Sequence, residues 1–157
     1  MGASIYTPPA PEPPARPIAQ MRRVAASPVY AGNVWHIIVF DTIDFDNRSG
    51  ISADKSKYTI PEFGTYALDA TIHIGNAPNP VFYGVRLMKN GNVIMGPTSL
   101  VQGVKTSNSR LAVPTKRTLV VCDVGDILQV EGYTEVNWQT YQTPDGTVAT
   151  FTVERVL

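Results

Sequence analysis

Residues 64–74 read GTYALDATIHI, and along this stretch apolar side chains recur at every second position. One set of alternate positions holds Tyr66, Leu68, Ala70, Ile72 and Ile74, and the other contains Thr65, Asp69, Thr71 and His73. Because successive side chains of a β-strand point to opposite faces of its sheet, this spacing predicts a long, half-buried strand.

Further segments typical of strands lie on both sides of this stretch. These β-branched and aromatic segments are residues 34–40, 82–88, 93–95, 118–122, 127–131 and 147–153. Asn90-Gly91 is the strongest short hairpin signal, and Gly, Pro, Asn and Asp mark turns at 76–78, 96–97, 124–126 and 144–146. No window of ten residues combines a helical period with an absence of Gly and Pro. The sequence therefore predicts an all-β sandwich or jelly roll of about eight short strands.

Charge and cysteine content exclude several classes of protein. Thirteen Lys+Arg balance thirteen Asp+Glu among 157 residues, so the chain lacks the basic surplus with which nucleic-acid binders displace counterions. The single cysteine, Cys122, cannot form an intramolecular disulfide or a multi-cysteine zinc site. No apolar run reaches the length of a transmembrane helix. We therefore expect no nucleic-acid partner and no membrane insertion.

The N-terminal segment differs sharply from the rest in composition, because seven of the thirteen prolines lie in the first 28 residues. Proline lacks the backbone donor and fixes φ, so this composition predicts an extended, polyproline-II-like arm over residues 1–33 and a folded body over 34–157. Such an arm is either a disordered tail or an anchor that a partner holds. The candidate anchoring residues are Ile5, Tyr6, Ile18, Met21, Arg22 and Arg23.

The order and spacing of four motifs over residues 34–157 resemble the C1q/TNF-like jelly-roll domain. The motifs are Phe45-Asp-Asn47, Tyr58-Thr-Ile-Pro61-x-x-Gly64-x-Tyr66, Val85-Arg-Leu-Met-Lys-Asn-Gly91 and Leu119-x-x-Cys122-Asp-Val-Gly125-Asp126-x-Leu128-x-Val130. The resemblance implies a C1q/TNF-like jelly-roll sandwich that assembles as a compact homotrimer, with flat sheet faces packed around a threefold axis.

The segment 34–40 gives modest support for self-association, since it is apolar on both faces. Trp35, Ile37 and Val39 face away from His36, Ile38 and Phe40, and a monomeric sandwich would expose one of these sets. We predict that Trp35, Ile37 and Val39 form the trimer interface. The alternative is that the arm or the loops cover them.

Residues that carry enzyme chemistry are sparse. His36 lies in an apolar segment and His73 is far from it in sequence, Cys122 has the surroundings of a buried small hydrophobe, and no serine lies in a G-x-S-x-G motif. Asp41, Asp44 and Asp46 form the densest carboxylate cluster, and a calcium site there is the alternative to ordinary loop capping. The EF-hand pattern fails, because Arg48 falls where a third ligand is required. We expect no catalytic site, no metal and no cofactor.

Two surfaces are candidates for ligand binding. Trp138 and Tyr141 lie among amide side chains, a mixture common in the recognition of sugars and proteins, although Trp138 could instead pack over a sheet edge. The second candidate is the long polar stretch of residues 96–114.

These features favour a virion structural protein. The chain resembles the head-fibre and capsid-decoration proteins of bacteriophages, with a trimeric jelly roll held on the capsid surface by its N-terminal arm. We expect it to be made without a secretory or lipid signal and to bind itself and the major capsid protein or another virion protein. It would also aid adhesion to a host glycan or protein. The alternatives are a tail-fibre receptor-binding tip and a secreted C1q/TNF-like ligand, and no Gly-X-Y stalk accompanies the chain.

Overall fold

The computed structural model describes residues 15–75, 81–94, 99–103, 111–140 and 148–157, which form strands and connecting turns. The strands are β1 (Ile18–Arg23), β2 (His36–Ile37), β3 (Thr42–Asp46), β4 (Tyr58–Thr59), β5 (Gly64–Gly75), β6 (Val81–Lys89), β7 (Asn92–Val93), β8 (Ser99–Gly103), β9 (Leu111–Pro114), β10 (Thr118–Cys122), β11 (Ile127–Thr134), β12 (Gln139–Thr140) and β13 (Ala149–Arg155). No helix that could span a membrane occurs in these ranges.

The strands form two antiparallel sheets that pack face to face. The first sheet has the order β10-β5-β13-β1-β3, and β9 and β12 also pair with β5. The second has the order β2-β11-β6-β7, with β4 on β11 and β8 on β6. Strands distant in sequence are neighbours in both sheets, as a jelly roll requires. The prediction of an all-β jelly-roll sandwich is confirmed.

The alternation in residues 64–74 places the expected set of side chains in the core. Tyr66, Leu68, Ala70, Ile72 and Ile74 of β5 are buried, and they pack in one cluster with inward side chains of β6 and β11. His73, on the other face of β5, is also buried, so this strand is covered on both sides near its C-terminal end. A single strand of twelve residues thus supplies much of the core.

The folded body begins well before residue 34, so the predicted boundary between arm and body is wrong. β1 lies inside the first sheet, paired with β13 along all six of its residues and with β3 on its other side. Ala19 and Met21 are each 1% exposed and belong to the core. The physical reason is that residues 18–27 contain no proline, which leaves enough chain with free N–H groups to form a strand.

Residues after β1 also follow the sandwich closely. The Ser27 N–H donates to the Thr140 carbonyl, and Tyr30 exchanges two backbone hydrogen bonds with Trp138, at 2.8 and 3.0 Å. The segment that composition assigned to an arm is therefore integrated into the fold from at least Arg16, whose guanidinium donates to the Val156 carbonyl.

We predict that Met21→Ala lowers the free energy of unfolding by about 2–5 kcal/mol, because it removes a buried side chain and leaves a cavity. Urea unfolding at fixed protein concentration measures this. Val29→Ala is the control, since Val29 is exposed and its truncation should change stability by less than about 0.5 kcal/mol. Equal effects of the two substitutions would show that β1 is not part of the stable body.

Candidate functional site

The outward face of the second sheet carries a cluster of aromatic side chains. Trp35 precedes β2, and its ring lies 5.2 Å from that of Tyr133 on β11, at an interplanar angle of 33°. The register explains the contact: His36 pairs with Gly132, so the preceding Trp35 lies beside Tyr133. Trp35 is half-buried by these neighbours.

A positively charged side chain, that of Arg86, packs against this aromatic cluster. The Arg86 guanidinium carbon lies 4.1 Å from the centroid of the Trp35 ring, within the distance of a cation–π interaction. Arg86 also forms an ion pair with Glu131 on the neighbouring strand, with 2.6 Å between Nη2 and Oε2. Arg86 is therefore fixed over the indole, and its charge is balanced by Glu131.

A cavity of about 430 Å³ opens beside this cluster and is lined by Trp35, Phe82, Tyr133 and Glu135. Its position follows from the register of β6 and β11, in which Tyr133 lies opposite Gly84. Phe82 lies two residues before Gly84 on the same strand, so its exposed ring projects from the same face as the half-buried Tyr133, whereas Gly84 itself is buried. The volume is in the range of small-molecule sites, about 300–1,000 Å³.

Glu135 is the charged group of this cavity. Its Oε2 accepts a hydrogen bond from the Phe82 backbone N–H at 3.2 Å, and its backbone carbonyl accepts one from the Asn33 side-chain amide. No lysine or arginine within the described ranges forms an ion pair with it. Among the residues that the structure describes, the aromatic cavity therefore carries one carboxylate, that of Glu135, without an ion-pair partner.

The predicted ligand contact at Trp138 is wrong, because this side chain is 0% exposed. The centroid of its ring lies 4.7 Å from that of Tyr30, with the two rings tilted by 41°, and its benzene edge lies over Gly132 so closely that a Cβ there would approach it to 2.5 Å. Trp138 therefore has a packing role, as the alternative interpretation held, but it lies in the core and not over a sheet edge. Tyr141, and most of the polar stretch 96–114, lie outside the described residues.

The predicted trimer-interface residues divide between two environments. Ile37 and Val39 are exposed, whereas Ile38 and Phe40 on the opposite face are buried in the core. Trp35 belongs instead to the half-buried aromatic cluster. His36 packs against the Tyr30 ring, with its Nε2 2.9 Å from the Ala31 carbonyl oxygen. A role of Trp35, Ile37 and Val39 in self-association stays a prediction.

Both edges of the first sheet present apolar side chains that the sequence analysis did not single out. At one edge, β10 exposes Leu119 and Val121, which are 63% and 59% accessible. At the opposite edge, β3 exposes Ile43 and Phe45. Apolar side chains are expected in any strand, and only the topology reveals that these two strands are the edges.

The candidate anchoring residues of β1 are already engaged within the fold, so the structure contradicts their assignment to a free arm. Met21 is buried in the core. Arg22 forms an ion pair with Asp44, and Arg23 donates to the carbonyls of Val39, Ala25 and Ala26. Ile18 pairs with Glu154 in the sheet. Ile5 and Tyr6 lie outside the described residues.

The three clustered aspartates serve separate structural purposes. Burial raises the pKa of Asp41, but hydrogen bonds from the Val24 and Ala25 N–H groups outweigh it and hold the pKa below its usual value. Asp44 pairs with Arg22, and Asp46 accepts hydrogen bonds from the N–H groups of Arg48 and Ile51. Across the described ranges, no three His, Cys, Asp or Glu side chains converge as metal ligands would.

The Cys122 thiol is buried, as predicted for a small hydrophobic side chain. Burial raises its pKa to about 11, although Lys89 nearby opposes the shift. A neutral, inaccessible thiol is a poor nucleophile, which argues for a packing role.

Comparison with known proteins identifies the fold. No protein-family model and no curated protein matches the chain. Among solved structures, the globular domain of zebrafish complement 1qA protein is 9% identical, with 90% of this chain and 98% of that chain covered and a TM-score of 0.58. Murine APRIL at pH 5.0 is 12% identical over 90% and 100%, with a TM-score of 0.61, and Eiger TNF from S. frugiperda is 7% identical over 91% and 94%, at 0.59.

The chain therefore has the fold of the C1q/TNF-like jelly-roll domains, as its motifs predicted. Sequence identities this low show a common fold and no common activity.

The two tryptophans provide a matched test of the assignment of Trp138 to the core and of Trp35 to the half-buried aromatic cluster. We predict that Trp138→Ala lowers the free energy of unfolding by about 3–5 kcal/mol, because it empties a fully enclosed position. Trp35→Ala removes a half-exposed ring and one cation–π contact, so its effect should be about 1–2 kcal/mol. Urea unfolding of both variants measures the difference, and indistinguishable midpoints would contradict the assignment of Trp138 to the core.

Proposed function

We propose that the chain is a virion structural protein, a homotrimeric head-fibre or capsid-decoration protein of a bacteriophage. Its N-terminal segment, residues 1–14, would bind the major capsid protein or another virion protein. The jelly-roll body would stand on the capsid surface. The proposal assigns no catalytic role to the chain.

The observation that carries the proposal is the direct continuity of the Pro-rich segment with β1. This strand lies between β13 and β3, so antiparallel ladders hold it on both sides. A pull on residues 1–14 along β1 would load the hydrogen bonds of both ladders together, because the strands lie parallel to the force. A tether attached in this way resists detachment better than one attached to a loop.

The start of β1 is fastened by side chains as well. The Asn47 side chain accepts from the Ile18 N–H and donates to the Arg16 carbonyl, at 2.9 and 2.7 Å. The Arg48 guanidinium donates to the Ala15 carbonyl at 2.8 Å. These contacts hold residues 15–18, which follow the Pro-rich segment directly in sequence, and a fixed attachment point supports an anchoring role for that segment.

The exposed edges of the first sheet support self-association. Apolar side chains of β10 at one edge and of β3 at the other are different surfaces, so they suit a head-to-tail contact between copies. A head-to-tail contact can close into a ring, and the homotrimer implied by the family resemblance is such a ring. The exposed Ile37 and Val39 on the second sheet are the competing surface.

We predict that Leu119→Asp together with Val121→Asp reduces the mass in solution from about three times the 17.1 kDa of one chain to a single chain. Charge in a desolvated apolar contact opposes association. Light scattering measures the mass, and circular dichroism checks that the sheet is intact. Val29→Asp is the matched control, because Val29 is also 63% exposed.

The double substitution Ile37→Asp with Val39→Asp discriminates between the two surfaces. Dissociation by this variant alone would assign the contact to the residues predicted from sequence. A full-length chain that is monomeric at all concentrations would contradict the trimer.

The anchor is tested with particles of the virus that encodes the chain, prepared without this protein. We predict that purified chain carrying Ile5→Ser and Tyr6→Ser no longer co-sediments with these particles, because the apolar contacts of the anchor are lost. Its mass in solution should be unchanged. Thr7→Ala is the control, and equal co-sedimentation of all three chains would contradict anchoring by this segment.

The alternative of a receptor-binding tip has lost one of the two residues on which it rested, since Trp138 is buried, and the other, Tyr141, lies outside the described residues. Neither this alternative nor the secreted ligand gains support from the described surface. The capsid-bound role is therefore preferred.

A further inference from the structure

We propose that the aromatic cavity formed by Trp35, Phe82, Tyr133 and Glu135 binds an organic cation, a single alkylammonium or guanidinium group. This site is separate from the N-terminal segment and from the exposed strands β10 and β3, although it shares Trp35 with the interface predicted from sequence.

The walls of the cavity are suited to a cation. Three of the four described residues that line it are aromatic, and the face of an aromatic ring carries negative electrostatic potential. Rings of this kind bind ammonium and guanidinium groups within about 6 Å of their centroids. Phe82 is exposed and Tyr133 is half-buried, so both rings are accessible from the cavity.

The charge of the cavity points in the same direction. Glu135 has no ion-pair partner in the described part of the chain, and its Oε2 accepts a single backbone hydrogen bond. Arg86 and Glu131 neutralise each other at 2.6 Å, so the net charge that the described residues give this site is that of Glu135. An anion would meet an unbalanced carboxylate, whereas a cation would pair with it.

A positively charged side chain of the chain itself, that of Arg86, already contacts the same aromatic cluster. Arg86 lies 4.1 Å from the centroid of Trp35 and contributes to holding that ring in position. The remaining rings, Tyr133 and Phe82, line the cavity together with Glu135, so a second cation would meet the same type of surface and a carboxylate there.

A neutral sugar is the competing ligand, because aromatic rings and a carboxylate also occur in carbohydrate sites. Such a site usually surrounds hydroxyl groups with several polar side chains, and Glu135 is the one charged group that lines this cavity among the described residues. The described lining consists of one carboxylate and three aromatic rings, which favours an organic cation over a neutral sugar.

The experiment titrates the full-length, isotope-labelled chain with four probes and follows the indole N–H resonance of Trp35 by NMR. The chain has two tryptophans, and Trp35→Phe identifies which resonance belongs to Trp35. The probes are choline, arginine amide, 3,3-dimethylbutan-1-ol as the neutral isostere of choline, and methyl glucoside, all at constant ionic strength. Choline and arginine amide distinguish a free ammonium compound from an arginine side chain as the source.

We expect saturable shifts with choline or arginine amide and at least about tenfold weaker binding of the neutral isostere, a difference of about 1.4 kcal/mol. Glu135→Gln should weaken cation binding by about tenfold. Tyr133→Phe should retain it, since the ring stays, and Tyr133→Ala should lose it. Glu154→Gln is the control, because Glu154 lies on the first sheet in an ion pair with Arg117.

Three outcomes would overturn the proposal. The neutral isostere binds as well as choline, methyl glucoside binds more tightly than either cation, or no probe gives a saturable shift. None of these results bears on capsid binding, so failure here leaves the proposed function to its own tests.

Discussion

The structure depends on β5, the long strand with which β10, β13, β9 and β12 all pair. Its period-two pattern gives the first sheet an inner face, and the second sheet packs its own apolar side chains against that face. A shift of one residue in this strand would turn its five core side chains to the other face. The pairing of four strands with β5 therefore ties the registers of these four strands to that of β5.

The sequence predicts this part of the fold well because the signal is local. The alternation in β5, the Asn90-Gly91 hairpin and the Gly125-Asp126 turn each lie within a few residues. Both glycines have the positive φ that such turns need. β1 escaped prediction because proline content, averaged over 1–33, hid the proline-free residues 18–27. Its pairing with β13, more than a hundred residues away, has no local signal.

In the candidate site, too, local sequence patterns fail to predict contacts between residues that are distant in sequence. A tryptophan among amide side chains suggests a ligand contact, yet the fold buries Trp138 against Tyr30 and Gly132. Trp35, for which the sequence predicts an interface role, lines a cavity with Tyr133 and Phe82 from strands distant in sequence. Only the registers of β2, β6 and β11 place these rings together, so no spacing within the sequence could have indicated the cavity.

The start of β1, which follows the proposed anchor in sequence, and the cavity lie at opposite ends of β5, which connects the two proposals. The chain enters β1 beside the N-terminal end of β5, since the Pro17 carbonyl accepts from Arg155, and Arg155 pairs with Tyr66. The cavity lies toward the other end of β5, where Gly75 pairs with Gln139 a few residues beyond Glu135. Twelve residues of strand separate these ends by about 40 Å. A body held by residues 1–14 would therefore present the cavity away from its support, where a ligand in solution or on another surface can reach it.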